Sequence, residues 1–60
     1  MTCYCFTQLA ELQDNEASKK CCDEAGGKWG DTDCDTYSMT RTRRLRFQAC
    51  CIREGEKSEC

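Results

Sequence analysis

Three sets of residues in this chain have the types and spacing to do chemistry. The first is eight cysteines in sixty residues, arranged as Cys3-x-Cys5, Cys21-Cys22, Cys34, Cys50-Cys51 and Cys60. Thiols at that density either bridge to one another or hold metal. The second is Arg41, Arg43, Arg44 and Arg46, interleaved with Thr40 and Thr42. Their planar guanidinium groups suit sulfate, phosphate or carboxylate partners. The third is Asp31, Asp33 and Asp35, which alternate through Gly30–Asp35 and open like a calcium-binding loop.

The rest of the chain narrows each reading. There is no histidine and no pair of C-x2-C knuckles of the zinc type. Trp29, Phe47, Tyr4 and Tyr37 suit a packed interior better than a metal cluster, so the cysteines are expected in four disulfides, with no metal and no cofactor. The calcium motif fails, because loop position six is Thr36 and position twelve is Thr42, where glycine and glutamate belong. A solvated acidic loop is the expectation there. Net charge is −2, so no global field draws in polyanions and no nucleic-acid partner is expected. The arginines instead read as a local patch for an anionic glycan or a protein surface. They also complement the acidic loop: within one chain they would fasten it, and between two chains they would make a two-fold homodimer. Catalysis has no foundation, since Ser18, Ser38 and Ser58 have no evident base and the thiols are taken up in bridges. The expectation is no enzyme.

Elements must position these groups, and the chain has little apolar material to build them with. Outside cysteine the supply includes two phenylalanines, one tryptophan, two tyrosines and no valine. Backbone ordering costs about 1–2 kcal/mol per residue, which so thin a core cannot offset without covalent staples. One domain spanning 1–60 is expected: a small disulfide-rich domain, mainly α with minor β. Cys3–Thr7 alternates aromatic and β-branched residues like a strand with both cysteines on one side. Gln8–Gln13 reads as a helical turn carrying Leu9 and Leu12. A helix follows, capped by Asp14 or Asn15 and stopped by Gly26, with Ala17, Cys21, Cys22 and Ala25 on one face. Gly27–Asp35 reads as a loop anchored by Trp29. Thr36–Arg46 is rich in β-branched residues and is expected extended, and Phe47, Cys50 and Cys51 mark a second short helix ending at Gly55.

The chain also echoes itself. Cys21-Cys22-x3-Gly26 followed by Cys34 matches Cys50-Cys51-x3-Gly55 followed by Cys60. Neighbouring side chains on a helix diverge by about 100°, so each doublet can bridge in two directions. A bond within a doublet is disfavoured, because adjacent Cα atoms lie about 3.8 Å apart. Most of the 105 ways of pairing eight cysteines stay open.

Laid out as Cys3-Tyr4-Cys5, Cys21 to Gly27-Lys28-Trp29, Cys34, and Phe47-Gln48-Ala49-Cys50-Cys51 through Cys60, the pattern resembles small secreted cysteine-rich proteins of filamentous fungi. That resemblance implies a secreted, extracellular, non-enzymatic effector or elicitor in plant–microbe interaction, acting by surface recognition of a host protein or glycan. Arg41, Arg43, Arg44, Arg46, Trp29 and Tyr37 are the candidate binding residues, since Trp, Tyr and Arg dominate interface hot spots; Trp29 is also a core candidate. Hydrophobins share the cysteine count but not the order, and a mean hydropathy of −0.83 does not suit a film former. The alternatives are a protease inhibitor offering an arginine-bearing loop and an antimicrobial or toxin-like peptide. No signal peptide and no apolar run of ~20 residues is legible, so no membrane span is expected. Met1 is read as an expression start in place of a removed secretion signal.

Overall fold

The computed structural model describes residues 2–35 and 40–60. In chain order the elements are β1 (Thr2–Phe6), β2 (Gln13–Asp14), α1 (Asn15–Ala25), β3 (Lys28–Trp29), β4 (Cys34–Asp35), α2 (Arg41–Arg53) and β5 (Lys57–Glu59). Strand β1 is the hub. It pairs antiparallel with β4 through Cys3↔Cys34, with β2 through Cys5↔Asp14, and with β5 through Tyr4↔Glu59. The β2 and β5 registers overlap on β1, so these two strands lie on opposite edges. Continuing the β5 register sets Cys60 beside Cys3, which leaves β4 on the β2 edge, followed by its own partner β3. With the two-residue β2 set aside as an added edge strand, the order β1-α1-β3-β4-α2-β5 with an antiparallel sheet matches the split-βαβ arrangement. Both helices pack on the Cys3–Cys5 face of the sheet, and among the described residues no helix covers the other face.

Local chemistry explains the helix limits. The Asp14 carboxylate accepts the Ala17 N–H at 3.0 Å, and Gly26 ends α1 at φ 76°. Thr40 Oγ1 accepts the Arg43 N–H at 3.2 Å and starts α2, and Gly55 follows its end at φ 79°. The two stops are alike. Gly26 and Gly27 donate to Asp23 and Cys22, and Gly55 and Glu56 donate to Ile52 and Cys51. In both, the left-handed glycine lets the chain turn back while the last carbonyls stay satisfied.

The interior is largely sulfur. Cys3, Cys5, Cys21, Cys22, Cys34, Cys50 and Cys51 are all fully buried, beside Phe47, Ala17 and Ala25. Leu9, Leu12, Leu45 and Ile52 are exposed. Four disulfides close this core: Cys3–Cys60, Cys5–Cys51, Cys21–Cys50 and Cys22–Cys34. Each doublet bridges in two directions and neither bonds within itself. Two ion pairs flank the interhelical Cys21–Cys50 bond, Lys20–Glu54 at 3.2 Å and Glu24–Arg53 at 2.5 Å. Both are exposed, so each contributes at most about 1 kcal/mol.

Several expectations need correction. The sheet has five strands and is not a minor component. Arg41–Arg46 is helical, not extended, because the Thr40 cap and a run of good helix formers outweigh the β-branched Thr42. The rest of the expected extended segment, residues 36–39, lies outside the described residues. Gln8–Ala10 is a hairpin turn, and Leu9 and Leu12 point to solvent instead of riding a helical turn.

Ser18 ties the helix to the hub strand. Its buried hydroxyl accepts the Cys5 N–H at 2.7 Å and donates to the Asp14 carbonyl at 2.6 Å. Removing it strands a buried donor in the middle of β1. Ser18→Ala is therefore expected to destabilise the oxidised protein by about 1–3 kcal/mol. A thermal melt checks this; a curve matching the parent would show that the bond contributes nothing.

Candidate functional site

The four arginines enter the structure together on the first two turns of α2. At about 100° per residue a helix spreads them around its axis, so they form a collar instead of one patch. The helix has no acid in its first turn, and none of the four makes an ion pair among the described residues. In the first turn Arg41, Arg43 and Arg44 also face the positive end of the backbone dipole, an unfavourable placement by about 0.3–1 kcal/mol each.

The collar divides by contact. Arg43 passes over Gly26, where its Nε would lie 3.7 Å from a β-carbon built on that glycine. Helix α1 has no basic residue in its last turn. Arg43 thus supplies from the neighbouring helix the positive charge that the C-terminal end of α1 lacks. Arg41 and Arg44 turn the other way. With Leu45, Gln48 and Cys60 they line a shallow groove of about 360 Å³. Leu45 is half exposed there, so the groove pairs two guanidinium groups with an apolar floor.

The other candidates are placed as follows. Trp29 is half buried and packs against the sulfur core, opposite Cys34 in the sheet. Tyr37 lies outside the described residues. Asp31 and Asp33 meet none of the arginines in an ion pair; the loop is held instead by the Gln13 side-chain amide, which donates to the Thr32 carbonyl. The sulfur atoms of Cys5, Cys21 and Cys51 lie within 4.8 Å of one another. All three are already spent in disulfides, and a disulfide sulfur lacks the thiolate charge that binds metal.

One cluster had no expectation attached. Asp14, Glu16, Glu54 and Glu56 surround an open groove of about 460 Å³ with Lys20 and Ala17. Glu56 Oε1 is shut off from solvent and no donor group reaches it. The neighbouring Asp14 carboxyl can bond to it only if one of the two carries a proton. Burial, and then Asp14, push Glu56 up to about 7, with the Glu54 charge adding to the effect. Asp14 is held below its ordinary value by that shared hydrogen bond and by the Ala17 N–H. The pair joins residues 42 positions apart, and only the three-residue turn after α2 brings them together.

No protein family, curated protein or solved structure matches this chain. Its covalent pattern describes it as a small cysteine-rich protein with four disulfides. Among the described residues no helix is long and apolar enough to cross a membrane.

The carboxyl pair fixes a pH dependence. Between the ordinary glutamate value of 4.5 and about 7 the folded chain keeps a proton on Glu56 that the unfolded chain has released. Stability from this group is present below 4.5 and is lost as pH rises through about 7. Asp14 acts in the opposite sense: its contribution is present above 3.8 and is lost as pH falls below that value. Melting temperature is expected to fall between pH 4.5 and 7.5, and Glu56→Gln is expected to flatten that fall. Parallel melts of the two proteins across this range check it; equal slopes would remove Glu56 as the cause.

Proposed function

We propose that this protein is a secreted, non-enzymatic recognition module, an effector or elicitor of the fungal small cysteine-rich kind, that docks an anionic group of a host glycan or protein in the Arg41–Arg44 groove. The observation that carries the reading is the pair Arg41 and Arg44, unpaired among the described residues, flanking Leu45 and Gln48 at the positive end of α2. An anion placed there gains from two guanidinium groups and from the helix dipole, and it relieves their mutual repulsion. Four disulfides support the extracellular assignment, because such bonds persist in oxidising compartments. They also hold the groove rigid, which lowers the entropy lost on binding. The chain has no histidine and every cysteine is bridged, so neither an imidazole base nor a free thiol accompanies the groove.

The inhibitor alternative loses support from the same helix. A protease takes an extended loop into its cleft, and Arg41, Arg43, Arg44 and Arg46 stand on helical backbone. A membrane-active peptide fits poorly with a net charge of −2.

Binding to immobilised sulfated glycan, compared with a neutral glycan of equal length, tests the proposal. Arg41→Gln with Arg44→Gln is expected to weaken sulfated-glycan binding about 10-fold or more, equivalent to about 1.4 kcal/mol. Arg46→Gln, on another side of the helix, is expected to change it far less. Equal losses from all three positions, or no loss from the pair, would contradict a groove-centred site.

A further inference from the structure

The sheet face opposite the helices carries a second set of side chains. Side chains alternate along β1, so Cys3 and Cys5 point into the core while Tyr4 and Phe6 point away from the helices. The two rings lie 5.9 Å apart, centroid to centroid, tilted at 52°. The β5 register sets Glu59 beside Tyr4 and Lys57 beside Phe6. With Glu11 these residues enclose a groove of about 260 Å³.

Glu11 reaches the groove from a strained position. Among the described residues it is the one non-glycine residue with positive φ, at 53°. Asparagine or glycine would occupy that conformation more cheaply. The hairpin holds it there: Glu11 N–H donates to the Thr7 carbonyl at 3.0 Å, Thr7 N–H to the Leu12 carbonyl at 2.8 Å, and Leu12 N–H to Thr7 Oγ1 at 3.0 Å. The strained residue is thus the one that brings a carboxylate to the aromatic pair.

The charges on this face select the ligand. Among the described residues Glu11 and Glu59 form no ion pair, and Lys57 is the one cation lining the groove. Aromatic rings on an open sheet can stack nucleic-acid bases, but that needs basic flanks for the phosphates. Here the flanks repel phosphate. A cation gains twice, from the negative faces of the rings and from the two carboxylates. Rings tilted into a wedge also suit a compact group better than a flat sugar platform.

We propose that Tyr4, Phe6, Glu11 and Glu59 form a receptor for an arginine side chain of a partner protein. The guanidinium plane lies against one ring while its N–H groups donate to the carboxylates. This site is separate from the Arg41–Arg44 groove, which stands on the helix layer, and it does not rest on that proposal.

The test is NMR titration of the intact oxidised protein at low salt with N-acetyl-arginine methylamide. Its uncharged isostere N-acetyl-citrulline methylamide, methyl glucoside and a short single-stranded RNA serve as comparison ligands. Saturable shifts at Tyr4, Phe6 and Glu11 with the arginine compound alone are the expected result. Glu11→Gln with Glu59→Gln is expected to weaken that binding at least 5-fold, and Lys57→Gln to strengthen it. Glu11→Gly separates function from folding: it is expected to raise the melting temperature, by relieving the strain, while weakening binding. Equal binding of the citrulline compound, or saturation of these residues by the sugar or the RNA, would overturn the proposal. So would shifts at the same residues on concentrating the protein alone, which would make the occupant a second copy of this chain.

Discussion

The Cys21–Cys50 bond between the two helices is the constraint on which the rest of the structure depends. It joins equivalent positions of an internal repeat, 29 residues apart in sequence. The same offset relates Cys22 to Cys51, Gly26 to Gly55 and Cys5 to Cys34. Under that relation the Cys5–Cys51 bridge, strand to helix, is the counterpart of Cys34–Cys22. Each half is a strand, a helix with a cysteine doublet and a glycine stop, and the two halves are stitched across a pseudo-two-fold axis. Cys3–Cys60 stands outside the repeat and closes the chain's longest loop, 57 residues. By the chain-entropy account the longest loop stabilises most, and a small domain gains about 2–4 kcal/mol from each such bond.

That covalent frame changes what the surface must do. Phe47 is the one large aromatic or aliphatic side chain fully buried among the described residues. With sulfur filling the interior, leucines and isoleucine are released to the outside. The chain also tolerates local conflicts that a marginal hydrophobic core would not: arginines at the wrong end of a helix, a glutamate in left-handed backbone, a carboxyl oxygen with no donor. Such conflicts cluster at working surfaces in proteins whose remaining parts are mutually consistent. Here the first stands in the positive collar on the helix layer, the second in the acidic, aromatic groove on the sheet, and the third in the Asp14–Glu56 cluster.

Much of this frame was legible in the sequence. The doublets announced two-way bridging, the alternation of Tyr4 and Phe6 with Cys3 and Cys5 announced β1, and Asp14 or Asn15 with Gly26 bounded α1, Asp14 proving to be the cap. Three things were hidden. Strands β2, β3 and β4 are two residues long, too short for any periodic signal, and form only because β1 offers them an edge. The Arg41–Arg46 stretch misled through Thr40 and Thr42; Thr40 is a helix cap, which is also common chemistry for threonine. The echo was visible but aligned one step off, since Cys34 matches Cys5 and not Cys60. Read at a strict 29-residue offset, it would have narrowed the pairings of those six cysteines to the ones that respect the repeat. The Asp14–Glu56 pair had no local signal at all, because a tertiary turn creates it.

The central claim is the bridge pattern, and mapping it by tandem mass spectrometry after stepwise partial reduction and alkylation tests it most directly. The account predicts Cys21–Cys50, Cys5–Cys51, Cys22–Cys34 and Cys3–Cys60, with no free thiol. A doublet whose two cysteines exchange partners, such as Cys22 bound to Cys50, or any thiol found free in the native protein, would contradict it.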